Sequence, residues 1–410
     1  QSVDARRQVF RRFVEALRLA EASLVEQLVR EVGKPWREAM GELARSRGHV
    51  LSALELDTQE CIETGATVVY QPHGVVAVIT PWNNPVAIPV GKLASALLMG
   101  NSVVWKPAFQ ADNITRRLLA LLQDCGLPDG LVQLVNGGAP QVYQLVGHPD
   151  VSAVSLTGPE QAGRSVSAIC RSVGKPLQAE LGGNNALLVL ADADLSGQVS
   201  NWVRQAFGFA GQRCTAVRRF VVERSLVERF ESLFATAMEQ LQLRNPALDS
   251  CDVGPLISAA QLARVSGAVK VALGRGARLV AGGQSCTDGP GHYFQPTLLA
   301  DLDPGDPLVQ EELFGPVAIL QVAEDFEHGM RLVNGVRQGL LAGIATASQC
   351  HYDAFVQQAE AGILIDGSGM RIHPAAPFGG RKMSQIGPPE HGVWDRQFFS
   401  RVQMRYRGAP

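Results

Sequence analysis

The sequence predicts an α/β fold in which helices cover a mostly parallel sheet. Short β-branched runs, Val75-Val76-Ala77-Val78-Ile79, Val103-Val104-Trp105, residues 132–135 and Val154-Ser155-Leu156, are separated by segments of helical length, the alternation of βαβ units. The runs are almost wholly apolar, and strands of that kind are buried on both faces, as in parallel sheets. The chain has 410 residues, 46% hydrophobic and 19% charged, with 42 glycines, which suits a globular protein of two or three domains.

Taken in order, Val9, Phe13, Leu17, Leu24 and Leu28 recur at three- and four-residue steps or their multiples. They predict one amphipathic helix running to about Glu31, and a second, polar helix follows Trp36. In an open parallel sheet ligands lie at the carboxyl ends of the strands, so the loop after each strand is where function is expected. After the first run comes Thr80-Pro81-Trp82-Asn83-Asn84-Pro85, a rigid turn whose side-chain amides can donate to a developing oxyanion. After the second comes Lys106-Pro107, a cation placed for a phosphate or ribose. After Val154-Ser155-Leu156 comes Thr157-Gly158-Pro159-Glu160-Gln161-Ala162-Gly163, where glycine lets a pyrophosphate approach and Pro159 suits the first position of a helix. Each has a plain structural explanation as well: turn chemistry, a solvated lysine, a sterically required glycine.

Two acids stand in similar places. Glu180, in Ala179-Glu180-Leu181-Gly182-Gly183, ends an apolar segment, where burial raises a carboxyl group toward the range of a general base. Glu312, in Glu311-Glu312-Leu313-Phe314-Gly315-Pro316, is suited to accept hydrogen bonds from a sugar diol beside an apolar wall of Phe314.

Charge and composition narrow the partners. Lysine and arginine number 37 against 39 acids, a formal charge of −2, with no polybasic stripe for nucleic acid or an anionic membrane. A small-molecule partner is expected. The seven cysteines, at 61, 125, 170, 214, 251, 286 and 350, include no Cys-x-x-Cys pair, which argues against a disulfide scaffold or a zinc ribbon. The eight histidines are isolated, so no metal is expected. No apolar run reaches membrane-spanning length and no signal-peptide pattern opens the chain, which reads as cytoplasmic.

Of the seven cysteines, Cys214 alone stands in a glycine-flanked polar turn, Gly211-Gln212-Arg213-Cys214-Thr215, after the apolar Ala206-Phe207-Gly208-Phe209-Ala210. If that turn opens onto a helix, its N–H groups and positive field lower the thiol pKa and favour the nucleophilic thiolate. An inert core cysteine is the commoner occupant of such a place.

Together and in this order, Pro81-Trp82-Asn83, Lys106-Pro107, Thr157-Gly158 with Gly163, Glu180-Leu181-Gly182-Gly183, Gly211-Gln212-x-Cys214-Thr215, Glu312-x-Phe314-Gly315-Pro316 and Pro377-Phe378-Gly379-Gly380 closely resemble the aldehyde dehydrogenase superfamily. The resemblance covers nearly the whole chain. It implies a Rossmann-type cofactor domain, an α/β catalytic domain and a small β oligomerisation flap. By likeness, residues 1–53 and 73–182 fall to the cofactor domain, 183–390 to the catalytic domain, and 54–72 with 391–410 to the flap. Family members carry a substantial segment before the helix with which this chain opens, so the first part of the cofactor domain is expected to be absent. Residues Trp394 to Tyr406 are expected as a strand that pairs with a neighbouring subunit in a homodimer or homotetramer.

The chemistry implied is oxidation of an aldehyde to a carboxylate with NAD or NADP. Cys214 is the nucleophile, Asn83 and the Cys214 N–H stabilise the oxyanion, and Glu180 activates the water that hydrolyses the thioester. Glu180 places the chain in the hydrolytic branch. Pro81, Trp82, Lys106, Thr157, Gly158, Gly163, Leu181, Glu312 and Phe314 are the implied cofactor contacts. Phe109 stands where NAD-preferring members place a glutamate, leaving NAD and NADP both open. Pro159 lacks an N–H that would meet the pyrophosphate. The nearest resemblance is to enzymes of amino-acid-derived semialdehydes, such as the succinylglutamate semialdehyde dehydrogenases, for whose distal carboxylate Arg213, Arg371 and His373 are candidates. A pocket of Trp82, Phe207 and Phe209 would favour apolar aldehydes instead. The rival reading is an assembly protein whose cofactor binding has decayed at Phe109 and Pro159.

Overall fold

Val9, Phe10, Phe13 and Leu17 bury one stripe of helix α1 (Val3–Leu19), and Leu24, Val25 and Leu28 bury one of helix α2 (Glu21–Val32). Each fully buried side chain of this size contributes about 1.5–3 kcal/mol. The single helix expected to Glu31 is therefore two, divided at Ala20, whose dihedrals of −88° and 1° leave the helical range. The buried leucines 17 and 24 are seven residues apart, so the apolar pattern stays in phase across the break and does not reveal it. Helix α2 stops at Gly33, at φ +69°, where a Cβ would lie 2.7 Å from Pro255 Cγ. Helix α3 (Trp36–Leu54) follows after Pro35, as the sequence predicts. The computed structural model describes residues 2–63, 65–286, 291–369 and 372–407.

The β-branched runs build a six-stranded sheet in the order Gln385–Ile386, Leu177–Glu180, Val151–Thr157, Val75–Ile79, Ser102–Lys106, Val132–Leu134. All neighbours are parallel except Gln385–Ile386, which runs antiparallel beside Glu180 and Ala179. Val75–Ile79 has Ser102–Lys106 on one flank and Val151–Thr157 on the other, which opens a crevice at its carboxyl end. Helices α1 to α3 and helix α4 (Ala87–Leu98) share a core with these strands, centred on Trp105, whose Nε1 donates to Thr80 Oγ1 at 2.9 Å.

A second, seven-stranded sheet runs Arg278–Ala281, Thr297–Ala300, Val317–Ala323, Val217–Glu223, Asn185–Val189, Leu341–Ala345, Ile363–Ile365. It too is parallel apart from its first strand. The fold is thus the α/β arrangement of parallel sheets and covering helices that the sequence predicts. A separate antiparallel ribbon joins Gln59–Glu63, Ala66–Pro72 and Ser400–Tyr406. The strand expected from Trp394 begins only at Ser400, because Val393–Phe398 is a helix that buries Asp395 and Phe398. No helix among the described residues is long and apolar enough to cross a membrane.

Candidate active site

Cys214 lies at the end of a strained turn. Phe209, Ala210 and Gly211 hold φ values of 50°, 53° and 65°, three consecutive left-handed residues. For non-glycine residues each such conformation costs about 1–3 kcal/mol and persists only where surrounding contacts impose it. Here they do. Fully buried Gln212 donates to Phe209 O and Pro255 O at 3.3 and 3.2 Å and accepts from Ile257 N at 2.9 Å. Arg218 donates to Gly211 O and Arg213 O at 2.9 and 3.0 Å, and Asn185 Nδ2 to Cys214 O at 2.7 Å.

The turn runs into the strand Val217–Glu223 and not into a helix, so the pKa-lowering field expected from a helix start is missing. The thiol is held well above its usual range, first by burial and then by the charges of Glu180, Glu312 and Glu390, with Arg218 opposing them. In this state it rests as a neutral thiol.

Asn83 extends from the turn after Val75–Ile79 and is buried, its Nδ2 donating to Gln212 O at 3.2 Å, on the loop that carries the nucleophile. One of its two amide hydrogens is so engaged, and the other is available to an oxyanion. Glu180, 2% exposed, accepts from Gly182 N at 3.1 Å. Burial first, then the Glu390 charge, push its carboxyl group up to about 8. Glu312 accepts from Gly183 N at 3.4 Å and lies 3.5 Å from Arg218, and burial pushes it up to about 7.

Lys92, Glu390, Ser155 and Thr157 complete the network. Buried Lys92 donates to Glu390 Oε1 at 2.6 Å and to Ser155 Oγ at 2.8 Å, and Thr157 Oγ1 donates to the same Glu390 oxygen at 3.1 Å. Sequence reasoning passed over Lys92 and Glu390. A lone lysine in the apolar helix α4 was a legible clue, whereas Pro389-Glu390-His391 offered none.

A cavity of about 740 Å³ opens at the carboxyl ends of the six-stranded sheet. Pro81, Trp82, Asn83, Thr157, Gly158, Glu180, Leu181, Cys214, Glu312 and Phe314 all line it. Nothing lies within 4 Å of where a Cβ on Gly158 would stand, which leaves room for a pyrophosphate. Trp82 and Phe314 meet edge to face, with ring centroids 5.7 Å apart. Lys106 does not line the cavity, but it is half-buried at the end of the neighbouring strand without an ion pair among the described residues. Burial lowers its pKa. Phe109 is 75% exposed. A Cβ on Gly163 would strike Leu181, so this glycine serves helix-to-strand packing and makes no cavity wall. A large cavity, an open glycine and an unpaired cation at the strand ends fit a dinucleotide.

Other expectations need correction. Phe207 is fully buried against Phe234 in the core of the seven-stranded sheet, because it lies on the inner face of its helix. Phe209 is fully buried behind Trp82, its ring 4.9 Å from Lys34 Nζ. Neither lines the cavity. Arg213 turns away from the thiol to Arg204 O and Gln205 O at 3.0 and 2.8 Å and faces Glu38 at 3.7 Å. His373 is exposed in a surface turn, its Nδ1 accepting from Ala375 N, and Arg371 lies outside the described residues.

Comparison with known proteins agrees with this geometry. The sequence model of the "Aldehyde dehydrogenase family" matches residues 1–404. The alpha-ketoglutarate semialdehyde dehydrogenase of Haloferax volcanii is 36% identical over 377 residues, covering 88% of this chain and 77% of that protein. The 1-pyrroline-5-carboxylate dehydrogenase of Geobacillus kaustophilus is 31% identical over 417 residues, covering 97% and 81%. Among solved structures, an aldehyde dehydrogenase C variant from Pseudomonas syringae, in complex with NAD+ and octanal, superposes with a TM-score of 0.94 at 29% identity, covering 100% of this chain and 86% of that one. An NADP-dependent enzyme of E. coli gives 0.93 at 30% identity, with the same 100% and 86% coverage.

Proposed function

The chain belongs to the aldehyde dehydrogenase family, and from that premise we propose that Cys214, Asn83 and Glu180 form its catalytic group. The protein oxidises an aldehyde to a carboxylate with a nicotinamide cofactor. Cys214 Sγ, its proton released to solvent, attacks the carbonyl carbon, and the resulting oxyanion takes hydrogen bonds from Asn83 Nδ2 and the Cys214 N–H. A bound nicotinamide supplies the two-electron oxidant that turns the thiohemiacetal into a thioester. Glu180 then removes a proton from water as that water attacks the thioester, and Cys214 departs as thiolate. Glu390, fixed by Lys92 and Thr157, keeps a second charge beside Glu180 and so sustains its basicity. The observation that carries this reading is the convergence of thiol, amide and raised carboxyl group on one cavity wall.

Pro81, Trp82, Thr157, Gly158, Leu181, Glu312 and Phe314 are the residues to hold the cofactor, with Lys106 beside them. With exposed Phe109 in place of a carboxylate, neither ribose form is selected by charge, so both NAD and NADP are used. Semialdehydes are the proposed substrates, in keeping with the named activity of the Haloferax volcanii relative. The division into a cofactor domain (1–53, 73–182), a catalytic domain (183–390) and a flap (54–72, 391–410) is retained as a proposal, as is a homo-oligomer. Cys125, Cys170, Cys214, Cys251 and Cys350 stand as thiols, which supports a reducing, cytoplasmic setting. The assembly-only reading gains no support from a site in which nucleophile, amide and base stand together.

The test follows reduced-cofactor absorbance with NAD and NADP against apolar and carboxylated aldehydes. Cys214→Ala is expected to lower kcat by roughly four orders of magnitude or more. Glu180→Gln is expected to release a burst of reduced cofactor while steady-state turnover falls about 100- to 10,000-fold. Turnover retained in Cys214→Ala, or full steady-state activity in Glu180→Gln, rejects the assignment.

A further inference from the structure

The large cavity is lined by Thr157, Gly158 and Pro159, which lead into the helix Glu160–Ser172, and also by Arg337 and Gln338, from the turn after the helix Phe326–Asn334. That turn is anchored from behind. Arg337 O accepts from Met383 N at 3.0 Å, and Gln338 and Gly339 pair with Lys382 and Arg381 as short antiparallel strands. From this support Gln338 Nε2 donates to Glu160 Oε2 at 3.3 Å, and Arg337 Nε lies 3.3 Å from the same oxygen. The turn thus meets the start of the helix beside the open glycine.

Gly158 leaves space for a pyrophosphate, but the residues around it offer no donor. Thr157 Oγ1 donates to Glu390 at 3.1 Å, Gly158 N donates to Glu180 O at 3.0 Å, and Pro159 has no N–H at all. Arg337 can supply what these three lack. Its Nε faces Glu160, and its two terminal nitrogens make no hydrogen bond among the described residues. The Glu160 carboxylate is already matched, since Arg164 donates to its other oxygen at 2.5 Å. One carboxylate therefore faces two guanidinium groups, and a positive charge is left over at the cavity wall. Arg264, the other arginine that lines the cavity among the described residues, donates to Glu312 O at 2.9 Å.

We propose that Arg337 is a cofactor-binding residue, its terminal nitrogens donating to the pyrophosphate that Gly158 leaves room for. The inference rests on the dinucleotide reading of the cavity and adds to it a cation from outside the glycine loop. A guanidinium presents a fork of donors matched to phosphate oxygens, and at 48% exposure its charge is open to screening by salt. The ion pair with Glu160 fixes the sign of a control. Neutralising Glu160 removes a negative charge beside the phosphates and releases Arg337, so binding holds or tightens. If Arg337 served only to support the start of the helix, loss of either partner would weaken binding alike.

The experiment is calorimetric titration with ADP-ribose, which carries the pyrophosphate and no nicotinamide, in wild type, Arg337→Gln, Arg337→Lys and Glu160→Gln, with adenosine measured by competition. Arg337→Gln is expected to raise the ADP-ribose Kd about tenfold or more, to leave adenosine within about twofold, and to flatten the salt dependence of ADP-ribose binding. Arg337→Lys falls between, and Glu160→Gln holds or lowers the ADP-ribose Kd. Equal losses on ADP-ribose and adenosine in Arg337→Gln, or a loss in Glu160→Gln as large as in Arg337→Gln, overturn the proposal. Wild-type binding of ADP-ribose that Arg337→Gln leaves unchanged rejects Arg337 alone, whereas a wild-type protein that binds neither ADP-ribose nor NADH rejects the cofactor reading itself and this proposal with it.

Discussion

Burial beside other carboxylates leaves Glu180 with a carboxyl group pushed up to about 8, and this has consequences for both rate and stability. Only the ionised form accepts a proton from water, so steady-state turnover is expected to rise with pH and level off above an inflection near 8. In Glu180→Gln that inflection disappears, while the burst of reduced cofactor keeps the pH dependence of the Cys214 thiol. A profile flat from the ordinary carboxylate range upward rejects the assignment. For stability the sign is opposite. Between the usual carboxylate pKa and about 8 the folded protein retains a proton that the unfolded chain has lost, so Glu180 makes the fold less stable as pH rises through that window. Residue types at strand ends made Asn83 and Glu180 legible in the sequence, and a glycine-flanked polar turn did so for Cys214. The error lay in the direction of side chains: Phe207, Phe209 and Arg213 adjoin the thiol in sequence, yet Phe207 points into the core from the inner face of its helix, and Phe209 and Arg213, within and after the left-handed turn at 209–211, point elsewhere as well.

At the scale of elements, βαβ alternation was readable because strands buried on both faces must be apolar, and the helix boundary at Ala20 was not, because the pattern keeps phase across it. The network that supports the base is illegible for another reason. Lys92 and Glu390 are 298 residues apart, and only the docking of Gly392-containing chain against α4 joins them. Glycines of the site separate into two kinds with different expected outcomes. At Gly211, with φ +65°, an added Cβ runs into the Gly315 carbonyl, so Gly211→Ala strains the nucleophile turn. Chemical denaturation is expected to show a loss of about 1–3 kcal/mol or more, together with a fall in kcat. At Gly158 an added Cβ meets nothing, so Gly158→Ala keeps wild-type stability to within about 0.5 kcal/mol. It is expected to raise the cofactor KM about tenfold by crowding the pyrophosphate. If Gly158→Ala unfolds the protein and leaves KM alone, the open space there is structural and the cofactor lies elsewhere.

At the scale of the whole molecule, the ribbon of Gln59–Glu63, Ala66–Pro72 and Ser400–Tyr406 stands apart from both large sheets, with Ser400–Tyr406 at its margin. That strand pairs with Ala66–Pro72 along one side only, so the N–H and C=O groups of its other side have no strand partner among the described residues. It also carries Val402, Met404 and Tyr406 at alternate positions, exposed by 64%, 38% and 78%. These three share one face of the strand, since successive side chains point to opposite sides. An antiparallel strand with an apolar face and a free edge is matched in chemistry by a second copy of itself, which would extend the ribbon and cover the face at once. Light scattering of the wild-type protein is therefore expected to give the mass of a dimer or tetramer. Lysines at 402 and 404 put like charges where the copies meet and leave the internal pairing to Ala66–Pro72 intact, so this double variant is expected to run as a folded monomer. A wild-type monomer, or an assembly that the two lysines leave unchanged, rejects this strand as the point of association.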